Sequence, residues 1–360
     1  MTGRPDIVLE KKGRCGFITF DRDRALNALT YDMIAQMEEH YQTWIRDPDI
    51  YGVIMQSTDP RAFCSGGDLK ALYEWRQADA LETALKLYGT EYQHNWSLER
   101  FSKPNVALID GIVMGGGVGA CFYGTHRVVT EKVRFAMPEV AIGFFPDVGA
   151  TYFLPRFPGK CGLYLGLTGR TVGQADAFYL GFATHCVPAN AFDAIRQAMI
   201  EAEPIDTVLE GLHRDPGESW LQQNQAAIDR LFSGRSVEEI LAALDAESGA
   251  LADWAKETAA EIRKKSPFSL KVAFRQVEVG ADMTLDEALK LEFRIARRFI
   301  SGDEFYEGIR AAIIDKDNAP RWNPATLDAV GDDRVSAVFA PLEGGELDLV
   351  DPFRTDRKAS

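Results

Sequence analysis

Gly111-Ile112-Val113-Met114-Gly115-Gly116-Gly117-Val118-Gly119 is the stretch on which the reading of this chain turns. It follows an apolar run, Val106 to Ile109, closed by Asp110-Gly111, and it opens a small, apolar segment ending near Tyr123 that reads as a buried helix. Ala62-Phe63-Cys64-Ser65-Gly66-Gly67-Asp68-Leu69-Lys70 repeats the arrangement earlier in the chain. Glycine lets a backbone turn sharply and brings its N–H groups close to a ligand with no Cβ in the way. A helix start adds unpaired N–H donors and the positive end of a dipole. Two such turns aimed at one point would make an oxyanion hole. Either turn alone also reads as a tight strand-to-helix connection. Neither is followed by the GK[ST] of a phosphate loop, and neither gives a good GxGxxG fingerprint in its context.

The flanking segments alternate. Ile7 to Leu9 and Cys15 to Phe20, with Gly13 between them, predict a hairpin. Thr30 can cap a helix from Tyr31 to about Arg46, where Met33, Met37, Tyr41 and Trp44 recur at helical spacing. Gly52 to Ser57 and Arg127 to Thr130 read as further strands. This order predicts an α/β core of stacked strand–helix units over residues 1–203. Over 204–360 the chain turns polar and helical, with capping boxes at Ser236/Glu239 and Thr284/Glu287. Trp220 to Leu231 reads as one helical run, and the tail after Pro324 reads as irregular.

The 360 residues carry 40 Lys+Arg against 54 Asp+Glu, a formal charge of −14. That argues against binding nucleic acid, which needs a basic face, while leaving room for one local cationic pocket. The five cysteines, Cys15, Cys64, Cys121, Cys161 and Cys186, are widely spaced and form no CxxC pair. A disulfide framework or a metal site is not expected, and a reducing, cytoplasmic setting is. No apolar run approaches the roughly 20 residues that span a bilayer, and no apolar leader opens the chain, so no membrane partner is expected.

A third stretch, Met137-Pro138-Glu139-Val140-Ala141-Ile142-Gly143-Phe144-Phe145-Pro146-Asp147, sets two carboxylates among apolar side chains. Acids in such surroundings are paired or functional, and desolvation raises their pKa toward the range useful in acid–base or nucleophilic work. The plainer alternative has Glu139 capping a helix and Asp147 in an exposed turn. Cys64 reads as a packed residue rather than a nucleophile. The five histidines show no metal-ligand spacing.

Taken together, in this order and spacing, the three stretches resemble the crotonase (enoyl-CoA hydratase/isomerase) superfamily and, within it, the 3-hydroxyisobutyryl-CoA hydrolases. The resemblance continues through GLYLGLTG (162–169), ATHCVP (183–188), KSPFSLK (265–271) and EGIRAAIIDKDNAPRWNP (307–324). It implies a crotonase-like spiral of ββα turns with a helical C-terminal region. It implies hydrolysis of a 3-hydroxyacyl-CoA thioester, the valine-degradation reaction, with an acyl-CoA as substrate and no metal or redox cofactor. The resemblance assigns the oxyanion hole to the N–H groups of Gly67 and Gly116, catalysis to Glu139 as nucleophile or base, and an assisting role to Asp147. It adds Glu91 as a further acid at the substrate. Arg24, Ala25, Leu26, Phe63, Ser65, Gly66 and Asp68 are implied to lie along the coenzyme A. Lys264, Lys265, Lys271 and Arg275 are candidates for its phosphates, Lys271 foremost. Hydratases of the superfamily carry a glutamate where this chain has Gly119, which favours hydrolysis over hydration. A hydratase or isomerase is the alternative activity, and a non-catalytic acyl-CoA-binding or scaffold protein the lesser one. Crotonase relatives often form trimers through their C-terminal helices, but the longer helical region of the hydrolases offers to cover that surface instead, so the resemblance leaves a homo-oligomer open.

Overall fold

Three successive passes of the chain through the first half each lay down one strand in a large sheet and one short strand in a small sheet. A computed structural model describes residues 5–351; the ends of the two expected regions, 1–4 and 352–360, lie outside these. The chain starts as the expected hairpin, with β1 (Ile7–Lys12) antiparallel to β2 (Cys15–Phe20) and Lys12 opposite Cys15. Strands β3 (Gly52–Ser57), β4 (Ala62–Cys64), β5 (Asn105–Ile109), β6 (Ile112–Met114), β7 (His126–Val129), β8 (Arg134–Ala136) and β9 (His185–Cys186) follow. The large sheet has the order β1-β2-β3-β5-β7-β9 and is parallel from β2 onward; the small one is β4-β6-β8, all parallel. Stacking successive passes in register, with Val113 beside Phe135 and Met114 beside Ala136, winds the spiral. β2 is buried along its whole length, as expected for a parallel strand covered on both faces.

Helices fill the spaces between passes. Thr30 Oγ1 accepts from the Met33 N–H at 3.2 Å and starts α1 (Tyr31–Trp44). Asp68 caps α2 (Leu69–Gln77) in the same way; α3 (Leu81–Glu99), α4 (Gly116–Phe122), which packs on the small sheet, and the short α5 (Ala150–Phe153) follow.

Beyond Cys186 the described elements are all helical. The run from Trp220 to Leu231 breaks at Asn224 into Trp220–Gln223 and Gln225–Leu231. Ser236 caps Val237–Asp245, but the Glu239 carboxylate accepts from the Arg235 N–H at 2.8 Å, so only half of that box forms. The Thr284/Glu287 box is complete and opens α7 (Leu285–Ser301), which follows α6 (Pro267–Val279) and precedes α8 (Glu304–Ile309). The tail is less irregular than expected. Asp332–Phe339 is helical because Val335 and Val338, one turn apart, are buried and the helix packs against α7.

The C-terminal helices are fastened to the core by aromatic rings. Phe144 lies 4.4 Å from Phe305 of α8 and 5.6 Å from Phe299 of α7, and Phe299 stacks on Phe268 of α6 at 5.0 Å. Such pairs contribute about 0.5–1.5 kcal/mol each beyond the burial itself. α7 also packs directly on α3 and α5. The segment from Phe144 to Asp147 is therefore held between the spiral and the helical region.

Candidate active site

The three strands of the small sheet run parallel, so their C-terminal ends emerge side by side, where parallel sheets bind ligands. Ser65-Gly66-Gly67 follows β4, Gly115-Gly116 follows β6, and Met137-Pro138-Glu139 follows β8. The topology thus brings together three segments that are far apart in sequence.

The two glycine turns present N–H groups to one space. Leu29 forms a parallel bridge with Gly67: its N–H donates to Gly66 O at 2.7 Å, and its carbonyl accepts from Asp68 N–H at 2.9 Å. In such a bridge the central residue's own N–H faces the other way. Gly116 opens α4, so its N–H belongs to the set that a helix start leaves without an intrahelical acceptor. The two are neighbours, since a Cβ placed on Gly116 would stand 3.4 Å from Gly67 N and only 2.5 Å from Glu91 Oε1. The backbone at Gly66 (φ +110°) and Gly115 (φ +50°) is left-handed, which only glycine adopts without strain at such angles.

A cavity of about 180 Å³ opens beside these N–H groups. Glu91, Glu139 and Asp147 enter it among Leu72, Leu87, Tyr88, Ile142, Phe144 and Phe305. The described residues that line it include no Lys, Arg or His. Glu139 starts a 3₁₀ turn, Glu139–Ile142, and is 6% exposed, as is Asp147. Burial, and then the neighbouring Asp147, push the Glu139 carboxyl well above its ordinary range. Burial likewise raises Asp147 to about 7, against the opposing pull of Tyr92, whose O–H donates to Asp147 Oδ2 at 2.9 Å. Glu91 is raised well above its ordinary value by burial, then by Asp147. Glu139 Oε2 and Glu91 Oε1 are buried without a protein partner. Three acids that share one apolar cavity cannot all ionise, so protons are held between them near neutral pH.

Gly119 has no room for a side chain. A Cβ there would lie 2.6 Å from Val148 Cβ, 2.9 Å from Val148 Cγ1 and 3.0 Å from Asn95 Nδ2. Val148, directly after Asp147, takes that volume. It does so with φ +53°, an outlier for a β-branched residue, of the kind that costs about 1–3 kcal/mol.

The other expected contacts divide. Ser65 and Gly66 line the cavity. Ala25 and Leu26 stand behind them, as carbonyls accepting from Ser65 Oγ at 3.4 Å and Ser65 N–H at 3.0 Å. Phe63 lies in the core, edge-on to Phe20 at 5.4 Å, and its carbonyl accepts from Asn27 Nδ2 at 3.1 Å. Arg24 is 63% exposed and pairs with Asp6 at 2.5 Å. Asp68 caps α2 and pairs with Arg22 at 2.6 Å, facing a neighbouring hollow with Trp75 and Lys86. Lys271 lies outside the cavity, beside Arg275, with its ammonium 2.8 Å from Glu238 and donating to Val330 O at 3.2 Å. Lys264 contributes its carbonyl to Trp322 Nε1, and Lys265 is half-buried, its pKa lowered by desolvation. Cys64 is buried with Sγ 3.1 Å from Asn27 O, and its thiol is pushed up to about 12 by burial, far from a nucleophile's range.

Sequence reasoning passed over Tyr88 and Tyr92. With Glu91 they sit at i, i+3 and i+4 on α3, one face of a helix turned to the cavity, and that spacing was the available signal. It also passed over Glu292 and Gln276, which reach the Asp147 turn from α7 and α6 and leave no local trace.

Comparison with known proteins places this geometry. The model of the enoyl-CoA hydratase/isomerase family matches residues 15–339. A Danio rerio protein described as "3-hydroxyisobutyryl-CoA hydrolase, mitochondrial" is 42% identical over 354 residues, 96% of this chain and 92% of its own. Two crystal structures superpose closely. One, described as a carnitinyl-CoA dehydratase from Mycobacterium thermoresistibile, is 38% identical with a TM-score of 0.90, covering 96% of this chain and 99% of that one. The other, an enoyl-CoA hydratase from Rhodobacter sphaeroides 2.4.1, is 37% identical with a TM-score of 0.89, covering 96% and 100%. The mitochondrial label on such relatives overturns the cytoplasmic expectation. Free buried thiols fit any reducing compartment, so cysteine usage could not have made that distinction. Parallel strand ends carrying paired glycine turns and a buried glutamate, together with a family match over most of its length, lead to one conclusion: the chain belongs to the enoyl-CoA hydratase/isomerase family.

Proposed function

We propose that this protein hydrolyses 3-hydroxyisobutyryl-CoA to 3-hydroxyisobutyrate and coenzyme A. The observation that carries this reading is the placement of the second acid: Val148 and Asn95 occupy the space beside Gly119, and Asp147 enters the cavity instead. The name of the Danio rerio relative supports it.

In this reading the thioester oxygen accepts from the N–H groups of Gly67 and Gly116. These stabilise the charge that builds on it; losing one such donor typically costs about 10²–10³ in rate. Ionised Glu139 acts in one of two ways. It attacks the carbonyl carbon, giving a mixed anhydride that water then cleaves, or it takes a proton from the water that attacks. In both routes the C–S bond breaks, the thiolate leaves and takes up a proton, and one water is consumed. In its protonated form Asp147 donates to the thiolate or to the substrate's 3-hydroxyl, and Glu91 holds the same hydroxyl from α3. A thioester is already activated, so this scheme routes no step through a metal or redox cofactor.

Glu139→Gln is expected to lower thiol release from 3-hydroxyisobutyryl-CoA by about 10³-fold or more, within the range of acid–base and nucleophilic contributions. Full activity in that variant contradicts the scheme. The names of the two superposed structures favour a second reading, hydration or dehydration of an enoyl-CoA. It requires Asp147 or Glu91 to take over the work of a glutamate at position 119, and hydration of crotonyl-CoA tests it.

A further inference from the structure

The turn that carries Asp147 is strained and is held from three sides. Val148 and Gly149 follow one another at φ +53° and φ +86°. Tyr123 O–H donates to Val148 O at 2.8 Å. From α6, Gln276 Nε2 donates to Pro146 O at 2.5 Å and to Thr151 Oγ1 at 2.7 Å. From α7, the Glu292 carboxylate accepts from Gly149 N–H at 2.6 Å through one oxygen and from Thr151 N–H at 2.8 Å through the other. Glu292 is fully buried and, among the described residues, has no ion-pair partner. A carboxyl group placed there solely to cap the four-residue α5 would be an expensive choice, since a serine or threonine caps a helix without burying an acid. Strain of this kind persists only where the surroundings over-determine it, and it gathers at functional sites.

We propose that Glu292 is a positioning residue for catalysis: by gripping both N–H groups beyond Val148 it locks the left-handed turn that directs Asp147 into the cavity. Its charge also bears on the acids there. The titratable groups that face it are Asp147, Glu139, Glu91 and Tyr92, with Tyr123 behind. Glu292 itself is raised to about 8 by burial and then by Asp147, and in its ionised form it holds the Glu139 carboxyl up further. This inference rests on the proposed hydrolase reading for the role of Asp147, but the clamp itself does not.

The test compares the full-length wild type with Glu292→Gln, following thiol release from 3-hydroxyisobutyryl-CoA and hydration of crotonyl-CoA across pH 5–9. Gln keeps one acceptor but turns an N–H₂ toward the other N–H, so the turn loosens. The expected result is a kcat lower by about 10–100-fold, as a misplacement of about 1 Å produces, with KM within about threefold. A lowered melting temperature with wild-type kcat overturns the proposal. Gln276→Met carries the test independently should Glu292→Gln fail to fold. It removes the other clamp without removing a charge, so kcat falls; an unchanged kcat overturns the proposal. A wild type that hydrates without releasing thiol refutes the hydrolase reading alone, and the comparison is then read on hydration.

Discussion

Replacing Gly119 by alanine probes the feature that separates this site from one with a glutamate there. The new Cβ would stand 2.6 Å from Val148 Cβ, about 0.8 Å short of ordinary contact at 3.4 Å, and 3.0 Å from Asn95 Nδ2. α4 is buried on this side, so the strain falls on Val148 rather than on a flexible surface group. Val148 is already at φ +53° and has little freedom left. Overpacking of this size costs about 1–3 kcal/mol. With an unfolding entropy of about 2.1 cal/mol/K per residue, this chain's melting temperature falls by roughly 1–4 °C. The larger effect is on catalysis, because Asp147 is bonded to the residue that must move. A displacement approaching 1 Å lowers kcat by about 10–100-fold while KM changes little. Calorimetry and thiol-release kinetics on purified Gly119→Ala measure both. A variant with wild-type melting temperature and kcat would refute the claim that Val148 fills this space in place of a second glutamate.

Tyr92→Phe removes the O–H that favours the ionised form of Asp147. The Asp147 carboxyl then rises further above about 7, and the corresponding limb of the pH–rate profile moves to higher pH; an unmoved or lowered limb goes against the assignment. Stability should also depend on pH through this cluster. Asp147 and Glu292 have folded-state pKa values of about 7 and 8, above their ordinary 3.8 and 4.5. Their contribution is therefore complete below about pH 4 and is lost as pH rises through 7–8. Thermal melts of Asp147→Asn should lose less stability between pH 5 and 8.5 than the wild type, and an equal loss would contradict this. Cys64, buried and with its thiol at about 12, should not react with a thiol reagent in the folded protein but should do so in denaturant. Rapid labelling of the native form at Cys64 would mean that the turn opens.

Much of this site could be read along the chain because its parts sit at strand ends. A strand followed by a glycine pair and a helix is a local pattern, and both turns carry it at Gly66-Gly67 and Gly115-Gly116. Met-Pro-Glu139 and the apolar run to Asp147 were equally plain. What the chain does not announce is register between distant segments. Glu292 lies 143 residues from Gly149, on a helix whose sequence reads as amphipathic and ordinary. Lys271 shows the converse: a lysine in a basic segment says nothing about the glutamate that pairs with it, here Glu238 from another helix. The tail helix Asp332–Phe339 was hidden by its flanking Gly and Pro residues, and its two valines gain their meaning only from α7. The run from Trp220 to Leu231 looked continuous because the break at Asn224 needs no glycine or proline.

The most direct test of the account is a paired assay of the purified wild-type protein. One arm follows free thiol released from 3-hydroxyisobutyryl-CoA, and the other follows loss of the conjugated double bond of crotonyl-CoA. The account predicts fast thiol release with little hydration, because Asp147 rather than a glutamate at position 119 completes the set of acids. Fast hydration without thiol release would contradict it, and would mean that Asp147 or Glu91 places water for addition to a double bond.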